Sequence, residues 1–308
     1  MSSAAIILAA GKSTRMKSKR VKVLHEICGR PMLAYVIDAV REAGVDRIVV
    51  VVGHDRQQIL DTFADQSGIT WVYQEEQKGT GHAVQVCAKA LERFEGSVFV
   101  LAGDGPLIRG QTLKMLLEGH QKHHAALTLA TSVLSDPKGY GRIVRDADGN
   151  LTGIVEEKDA TPEQRRIKEI NPSYYLFNSR DMFSALTQIT NNNQKGEYYL
   201  TDAAGILKNA GRPVYAMAAI DPKDVLSINS RSDLALVNQI MQKRIQEQVM
   251  DSGVTIVNPE STWIEFGAKI GEDTVLEPFT WVGSDASIEP GSHVSAGTVI
   301  ARGGNYRR

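Results

Sequence analysis

Aliphatic residues recur at every sixth position toward the carboxyl-terminal end of this chain. They stand at Ile264, Ile270, Leu276, Val282, Ile288, Val294 and Ile300. Small residues follow most of them by four positions, at Ala268, Thr274, Thr280, Ala286, Ser292 and Thr298. A period of six is typical of hexapeptide repeats, in which each unit forms one flat face of a three-sided coil. The pattern therefore predicts a short left-handed parallel β-helix over residues 254–308.

The length of this repeat bears on how it is stabilised. Three faces make one coil, so the repeat from Ile264 to Val299 supplies about two coils. A stack this thin leaves open sheet edges, which repeat architectures normally cover with caps or partners. We expect either self-association of the β-helix, with a trimer as one arrangement, or a longer repeat from which the chain was cut. The sequence leaves both open.

A helical pattern precedes the repeat. Apolar residues occur at roughly helical spacing at Leu234, Val237, Ile240 or Met241, Ile245 and Val249. Ser230 and Asp233 resemble the start of a capping box, and Gly253 is a typical helix stop. We therefore predict one connector helix over residues 229–253.

The first 228 residues alternate short apolar runs with amphipathic stretches. The apolar runs predict strands over residues 4–10, 47–52, 69–74, 97–102, 127–133 and 214–218. The amphipathic stretches predict helices over residues 31–43, 56–64, 81–93 and 111–122. The run Ile48–Val52 is apolar on both faces, as expected of a central parallel strand covered by helices. The alternation predicts a doubly wound, Rossmann-like α/β domain over residues 1–228.

The first predicted strand runs into a loop that suits a polyphosphate. Its end and the following loop contain Leu8, Ala9, Ala10, Gly11 and the cations Lys12, Arg15 and Lys22. Small residues let backbone N–H groups approach phosphate oxygens, and the cations neutralise their charge. The loop is not a P-loop, because Ile6 stands where that motif needs glycine, and the dinucleotide motif G-x-G-x-x-G is absent. Taken alone, this segment also fits an ordinary strand-to-helix connection.

Polar residues follow two further strands. Gln74 follows the third predicted strand, and Ala102, Gly103 and Asp104 end the fourth. In doubly wound sheets ligands bind beyond the carboxyl ends of the strands. Three strand ends thus present polar groups to one rim, which predicts a nucleotide site there. A carboxylate such as Asp104 suits Mg²⁺, which prefers hard oxygen ligands.

Charge and cysteine content exclude several classes of protein. Lys and Arg number 35 against 36 Asp and Glu, so a general nucleic-acid or membrane-surface binder is not expected. The longest aliphatic run is too short to span a bilayer, and no secretory signal is recognisable at the start. Cys28 and Cys87 form no metal or redox spacing, which predicts a reduced, cytoplasmic protein. His120, His123 and His124 look like a solvated helix end rather than a metal site.

Six segments together resemble one enzyme family. They are Leu8–Met16, Lys22–His25, Gln77–Ala83, Gly139–Ile143, Gly153–Ala160 and Gly196–Asp202. With the repeat, the chain resembles bacterial N-acetylglucosamine-1-phosphate uridylyltransferases, the first half of a bifunctional enzyme whose second half is a hexapeptide-repeat acetyltransferase. The resemblance implies transfer of a uridylyl group from UTP to N-acetylglucosamine 1-phosphate, giving UDP-N-acetylglucosamine and pyrophosphate for cell-wall precursor synthesis.

The resemblance also implies roles for individual residues. Asn229 joins Asp104 as a Mg²⁺ ligand, and Arg15 and Lys22 hold the triphosphate. Gln74, Gly79 and Thr80 read the uracil, while Gly141, Glu156 and Asn171 read the sugar, with Tyr198 and Thr201 beside them. Nucleophilic catalysis by the protein is not required, because alignment and charge neutralisation carry phosphoryl transfer.

The chain also departs from the family. Val21 stands where the family usually has proline, and Gly105 follows Asp104 where an aliphatic residue is common. Pro172, Ser173, Tyr174 and Tyr175 follow Asn171 in place of a small hydroxyl residue and glycine. These changes leave a different sugar phosphate or nucleotide, or a non-catalytic regulatory subunit, as alternatives. The repeat is too short for the family's complete acetyl-CoA site, so acetyltransferase activity is not expected.

Overall fold

A computed structural model describes residues 2–11 and 14–306 of the chain. It contains two compact units, Met1–Leu24 with Leu33–Ser227, and His25–Met32 with Ile228–Arg308. The division after Ser227 falls beside the predicted boundary at residue 228. Residues 25–32 join the second unit, which the sequence did not indicate. The further division of the second unit at residue 253 stays a prediction, and the predicted cation Lys12 lies outside the described residues.

The elements, in chain order, are as follows. The strands are β1 (Ser3–Ala9), β2 (Glu26–Ile27), β3 (Arg30–Pro31), β4 (Arg47–Val52), β5 (Ile69–Tyr73), β6 (Ser97–Ala102), β7 (Leu127–Val133), β8 (Gly141–Arg145), β9 (Leu151–Val155), β10 (Glu169–Asn178), β11 (Val214–Ala218), β12 (Thr255–Ile256), β13 (Trp263–Ile264), β14 (Lys269–Ile270), β15 (Val275–Leu276), β16 (Trp281–Val282), β17 (Ser287–Ile288), β18 (His293–Val294), β19 (Val299–Ile300) and β20 (Asn305–Tyr306). The helices are α1 (Met32–Glu42), α2 (Arg56–Thr62), α3 (Thr80–Gln85), α4 (Gly110–Lys122), α5 (Ser179–Leu186), α6 (Asp202–Asn209) and α7 (Arg231–Asp251).

The first unit is built on one large sheet. Its main path runs β11-β7-β10-β6-β1-β4-β5, with β8 and β9 attached to β10. Strand β1 lies between β4 and β6 and is parallel to both. Strands β1, β4 and β6 are buried along almost their whole length, as their two-sided apolar runs predict. The predicted Rossmann-like α/β fold is confirmed.

Two features of this unit differ from the sequence prediction. Strand β10 is antiparallel to β6 and β7, and the hairpin β8–β9 pairs with it. Arg142 in β8 is fully buried and bonded to Glu157 at 2.7 Å, so a charge stands where a strand pattern needs an apolar residue. The helix predicted over residues 81–93 is the shorter α3, because most backbone hydrogen bonds after Val86 are of the i to i−3 type, as from Cys87 N to Val84 O and from Ala88 N to Gln85 O.

The histidines at the end of α4 are not all solvated. His120 is 4% exposed, and its Nδ1 lies 2.9 Å from Thr128 Oγ1. Burial lowers the pKa of His120 to about 4. The prediction of a fully solvated helix end is therefore wrong for His120, which packs against β7, and holds for His123 and His124, which are exposed.

Helix α7 of the second unit begins as predicted. Ser230 caps it, and Asp233 bonds back to complete a capping box. Its buried face contains two glutamines besides the apolar residues. Gln242 bonds to the backbone N–H and C=O of Ile264, and Gln246 donates to two nearby carbonyls at 2.9 and 2.7 Å. No helix of the described part of the chain is long and apolar enough to cross a membrane.

The repeat forms the predicted β-helix. Three parallel sheets stack in the orders β12-β15-β18, β13-β16-β19 and β14-β17-β20. Each sheet is three strands deep, so the repeat makes three coils rather than the two expected from Ile264 to Val299. Ile256 pairs with Leu276 and Tyr306 with Ile288, which extends the register by one strand at each end. The hairpin β2–β3 packs on this unit, where Cys28 O accepts from Phe266 N at 2.8 Å.

The corners of the β-helix share one backbone conformation. Seven residues spaced six apart have φ in the left-handed region, namely Gly267, Asp273, Phe279, Asp285, Gly291, Gly297 and Gly303. They stand three positions after each inward aliphatic residue, one position before the small residues that the sequence placed at the corners. Glycine and aspartate tolerate this conformation, whereas a bulky side chain such as Phe279 is strained there.

Candidate active site

A cavity of about 430 Å³ opens at the carboxyl ends of β1 and β6 in the first unit. It is lined by eleven of the predicted site residues, namely Leu8, Ala9, Ala10, Gly11, Lys22, Gln74, Gly79, Thr80, Ala102, Asp104 and Glu156. Gly103 adjoins it, with its N–H bonded to Leu8 O at 2.9 Å. The residues predicted at the three strand ends therefore line one and the same cavity.

Opposite charges meet at one end of the cavity. Lys22 Nζ forms an ion pair with Asp104 Oδ2, and the two side chains are 14% and 20% exposed. Asp104 follows the buried strand β6, while Lys22 begins a short 3-10 helix, Lys22–Leu24. The pair is accessible enough to meet a ligand and buried enough for its charges to be weakly screened.

The segment before Lys22 is held by α2. Val21 N donates to Gln58 Oε1 at 3.1 Å, and Gln58 Nε2 donates to Lys19 O at 3.1 Å. A proline at position 21 would have no N–H for this bond, but it would restrict the same backbone by its ring. The amide of Gln58 thus restrains the segment in which Val21 replaces the expected proline.

The loop between Gln74 and α3 is tightly constrained. Gly79 has φ +107°, and a Cβ there would lie 2.6 Å from Tyr198 O. Tyr198 N donates to Lys78 O at 2.7 Å, and Gly81 N donates to Tyr198 O at 2.8 Å. Thr80 Oγ1 accepts from Leu200 N at 3.0 Å. Only glycine fits position 79, and the loop presents its backbone to the cavity in one fixed form.

A carboxylate that directly follows β9, Glu156, lines the cavity. Glu156 Oε1 accepts from Thr201 Oγ1 at 3.2 Å. Burial raises the pKa of Glu156, and the hydrogen bond from Thr201 lowers it by a smaller amount. Glu156 also raises the pKa of the buried Tyr175 hydroxyl, although burial contributes more. Glu156 can accept hydrogen bonds from ligand hydroxyls in its ionised form.

A bulge in β10 brings the hydroxyls of Ser173 and Tyr175 to the cavity. The register of β10 on β7 shifts between Ile170 and Tyr174, and Ser173 has φ +67°. Asn171 Nδ2 donates to Tyr175 OH at 2.5 Å, and Asn171 Oδ1 accepts from Ser173 N at 3.1 Å. Ser173 and Tyr175 line the cavity. The predicted sugar reader Asn171 is buried and bonds within the bulge.

Besides Gly103, six predicted residues do not line the cavity, namely Arg15, Gly141, Asn171, Tyr198, Thr201 and Asn229. Arg15 is exposed in the short 3-10 helix Thr14–Met16. Gly141 pairs with Asn171 behind the wall. Asn229 belongs to the second unit, where its backbone N–H donates to Asp233 Oδ2 at 2.9 Å. The site roles of these six residues stay predictions.

Sequence reasoning also missed residues that line the cavity. Gln77 donates to Ala10 O and so joins two of the predicted loops. Glu197 lines the same space. Both lie inside the segments that carried the family resemblance, so the motifs contained the signal. Ser173 and Tyr175 lie in the segment after Asn171 in which the chain departs from the family, and the bulge in β10 decides that both line the cavity.

The donor set suits a metal ion that takes few protein ligands. Within residues 2–11 and 14–306, no three His, Cys, Asp or Glu side chains come together as a metal centre. Asp104 supplies carboxylate oxygens on the cavity wall. Mg²⁺ usually takes one or two carboxylates and completes its shell with water and substrate phosphates. The residues present therefore fit a metal that binds together with a nucleotide.

Comparison with known proteins assigns the family. Residues 5–205 match the MobA-like NTP transferase domain. The chain belongs to this family. Nucleotidyltransferases of this family generally use a divalent metal ion. The resemblance drawn from the motifs is thereby confirmed at the level of the family.

Individual relatives are longer than this member of the family. The chain is 45% identical over 297 residues to Bifunctional protein GlmU of Geobacter metallireducens, covering 96% of this chain and 62% of that protein. It is 43% identical over 300 residues to Bifunctional protein GlmU of Caldanaerobacter subterraneus subsp. tengcongensis, covering 96% and 65%. The chain thus spans less than two thirds of the length of these relatives.

The fold has counterparts among solved structures. The crystal structure of UDP-glucose pyrophosphorylase complexed with UDP-glucose superposes with a TM-score of 0.65 at 19% identity. The superposition covers 79% of this chain and all of that chain. At this identity the likeness shows that the two proteins share an α/β fold.

Proposed function

We propose that this chain transfers a uridylyl group from UTP to N-acetylglucosamine 1-phosphate, releasing pyrophosphate and forming UDP-N-acetylglucosamine. One observation carries the proposal. A single cavity joins the Lys22–Asp104 ion pair, the Gln74–Thr80 loop and the Glu156 carboxylate. These are the three kinds of group that the reaction needs, one for phosphates, one for a base and one for a sugar.

The chemistry asks the protein for alignment and charge neutralisation. A sugar-phosphate oxygen attacks the α-phosphorus, and the bond from that phosphorus to the bridging oxygen of pyrophosphate breaks. Lys22, with Arg15 from the neighbouring turn, neutralises the departing pyrophosphate. The phosphate monoester is already ionised at neutral pH, so no general base is required. This fits a cavity whose one prominent carboxylate–cation pair is Asp104 with Lys22.

We propose Mg²⁺ as the metal and Asp104 as its main protein ligand, with Asn229 as the second. The ion would supply charge neutralisation at the phosphates and hold their oxygens in line. With its carboxylate on the metal, Asp104 would leave the Lys22 ammonium group available to pair with phosphate oxygens. The base and sugar ends are held by Gln74 and Glu156.

The test is pyrophosphate release from UTP, N-acetylglucosamine 1-phosphate and Mg²⁺. Asp104→Asn should lower kcat/KM at least about 100-fold, because it removes the charge that neutralises metal and Lys22. Asp148→Asn, in the exposed β8–β9 turn, is the matched control and should leave the rate unchanged. Full activity of Asp104→Asn, or no release by folded wild-type protein, would exclude the proposal.

Sugar identity is the finer question. Ser173 and Tyr175 line the same cavity as Glu156, in the segment that departs from the family, which favours a second candidate, transfer to another sugar 1-phosphate. A panel of sugar phosphates with UTP and thymidine triphosphate separates the two. N-acetylglucosamine 1-phosphate should give the highest kcat/KM, and a higher value for another sugar would replace it.

We also propose that the β-helix mediates self-association, with a trimer as the expected arrangement. The outward positions of the β13-β16-β19 sheet are Trp263, Trp281 and Val299, an apolar row next to the exposed Phe279. Light scattering measures the mass in solution. A monomer at all concentrations would contradict this proposal.

The buried thiols fit the proposed cytoplasmic location. Cys28 and Cys87 are free and buried. Burial raises the pKa of Cys28 to about 11 and that of Cys87 to about 12, so both thiols stay protonated and unreactive. Fractionation of the cells that make the protein tests the location.

A further inference from the structure

The amide of Gln74 has a defined orientation. Gln74 is 3% exposed at the end of β5, and its backbone N–H donates to Val52 O at 2.9 Å. Its Nε2 lies 3.3 Å from Gly79 O. A carbonyl oxygen can only accept, so the atom that faces it must be the amide nitrogen.

The second hydrogen of the same nitrogen is directed at a histidine. His82 Nδ1 lies 3.0 Å from Gln74 Nε2. Both hydrogens of Nε2 are then used, one by Gly79 O and one by His82. In this orientation of the amide, His82 Nδ1 is the acceptor of that second hydrogen.

The orientation leaves one atom of the amide for a ligand. Gln74 lines the cavity, and its Oε1 accepts no hydrogen bond from the residues that the structure describes. If the amide were reversed, an oxygen would face Gly79 O, and it would also face a lone pair of His82 when Nδ1 carries no proton. The acceptor–acceptor contact with Gly79 O in a buried place therefore opposes the reversed orientation.

We infer that His82 is a positioning residue that, together with Gly79 O, holds Gln74 as a hydrogen-bond acceptor toward the ligand and so makes the cavity select uracil over cytosine. This rests on the proposed function. Uracil has an N3–H that can donate to Gln74 Oε1. Cytosine has an acceptor at N3, which would meet the oxygen of Gln74 unfavourably. Thymine has the same N3–H as uracil. The oriented Gln74 amide therefore discriminates against cytosine but does not discriminate between UTP and thymidine triphosphate.

The test compares kcat/KM for UTP and for CTP in the wild type and in four variants. His82→Phe keeps a planar ring and removes the acceptor, and should lower the UTP-to-CTP ratio about tenfold, the worth of about one hydrogen bond. His82→Asn can place an amide oxygen where Nδ1 lies, and should keep most of the ratio. Gln74→Ala should lower the ratio, and adding His82→Phe to it should lower the ratio no further.

Each result decides the inference. Equal losses for UTP and CTP in His82→Phe would make His82 merely structural and overturn it. The same is true if His82→Asn behaves like His82→Phe, or if the two changes in the double variant lower the ratio additively. If folded wild-type protein releases no pyrophosphate, the proposed function fails, and calorimetric binding of UTP and CTP to the same variants decides the inference separately. Absence of any preference for UTP in that binding would overturn it.

Discussion

Phe279 is a bulky residue at a β-helix corner that requires left-handed backbone. Its φ is +64°, and four of the seven corner residues in this series are glycine. Such a conformation costs an L-residue about 1–2 kcal/mol. Phe279 is 72% exposed, so its side chain recovers little of that cost through burial. We predict that Phe279→Gly is more stable than Phe279→Ala.

The comparison of glycine with alanine isolates the backbone. Both substitutions remove the same phenyl group, so the lost contacts cancel. Glycine relieves about 1–2 kcal/mol of strain and costs about 0.5–1 kcal/mol of extra unfolded-state entropy. The free energy of unfolding should therefore be about 0.5–1 kcal/mol higher for Phe279→Gly than for Phe279→Ala.

Val299 is the matched control, because it is also 72% exposed but lies in strand β19. Val299→Gly should be less stable than Val299→Ala by about 0.5–1 kcal/mol, since only the entropy term acts there. Equilibrium urea unfolding can follow the fluorescence of Trp263 and Trp281, whose rings stack 5.6 Å apart on the neighbouring strands. Light scattering on each variant keeps the association state comparable. If glycine is less stable than alanine at both positions, the strain argument is refuted.

Three further predictions concern the first unit. Gln58→Ala removes both bonds to the segment before Lys22, so kcat/KM for UTP should fall about five- to tenfold, and adding Val21→Pro should restore part of it by restraining the backbone. Burial raises the pKa of Glu156, so its carboxylate protonates at a higher pH than an exposed glutamate does, and the KM for the sugar phosphate should rise on the acid side of a pH profile. Burial lowers the pKa of His120 to about 4 from 6.5, so unfolded protein takes up a proton first, and the free energy of unfolding should fall by up to about 3 kcal/mol as the pH drops between these values.

Each of these three predictions has a control variant that is measured in the same assay. Gln57→Ala alters the adjacent residue of α2 and should leave kcat/KM unchanged; equal effects at both positions would contradict the role of Gln58. Glu156→Gln should abolish the acid rise in KM, and its persistence would assign that rise elsewhere. His120→Gln should flatten the acid loss of stability seen in urea unfolding at stepped pH, whereas His124→Asn should not.

The architecture was readable from local patterns. A period of six predicted the β-helix, because burial of one side chain per face is a property of neighbouring residues. Two-sided apolar runs predicted the central strands of the first sheet to within a residue or so for the same reason. The six-residue pattern did not predict the third coil. At one end Tyr306 stands where the pattern has an aliphatic residue, and at the other end an irregular segment separates Ile256 from the repeat. The antiparallel β10 was not predicted either, because buried Arg142 interrupts the alternation of its neighbour.

Most cavity residues were likewise predicted, because strand ends converge on one rim in any sheet of this kind. The sequence did not predict the directions in which the polar atoms of these residues point. The bond from Val21 to Gln58 joins residues 37 apart, and Gln74 is oriented by His82 on the following helix. Apolar periodicity reports burial, which is local and non-directional. Hydrogen bonds are directional, so the atom that Gln74 presents depends on where folding brings partners from other elements.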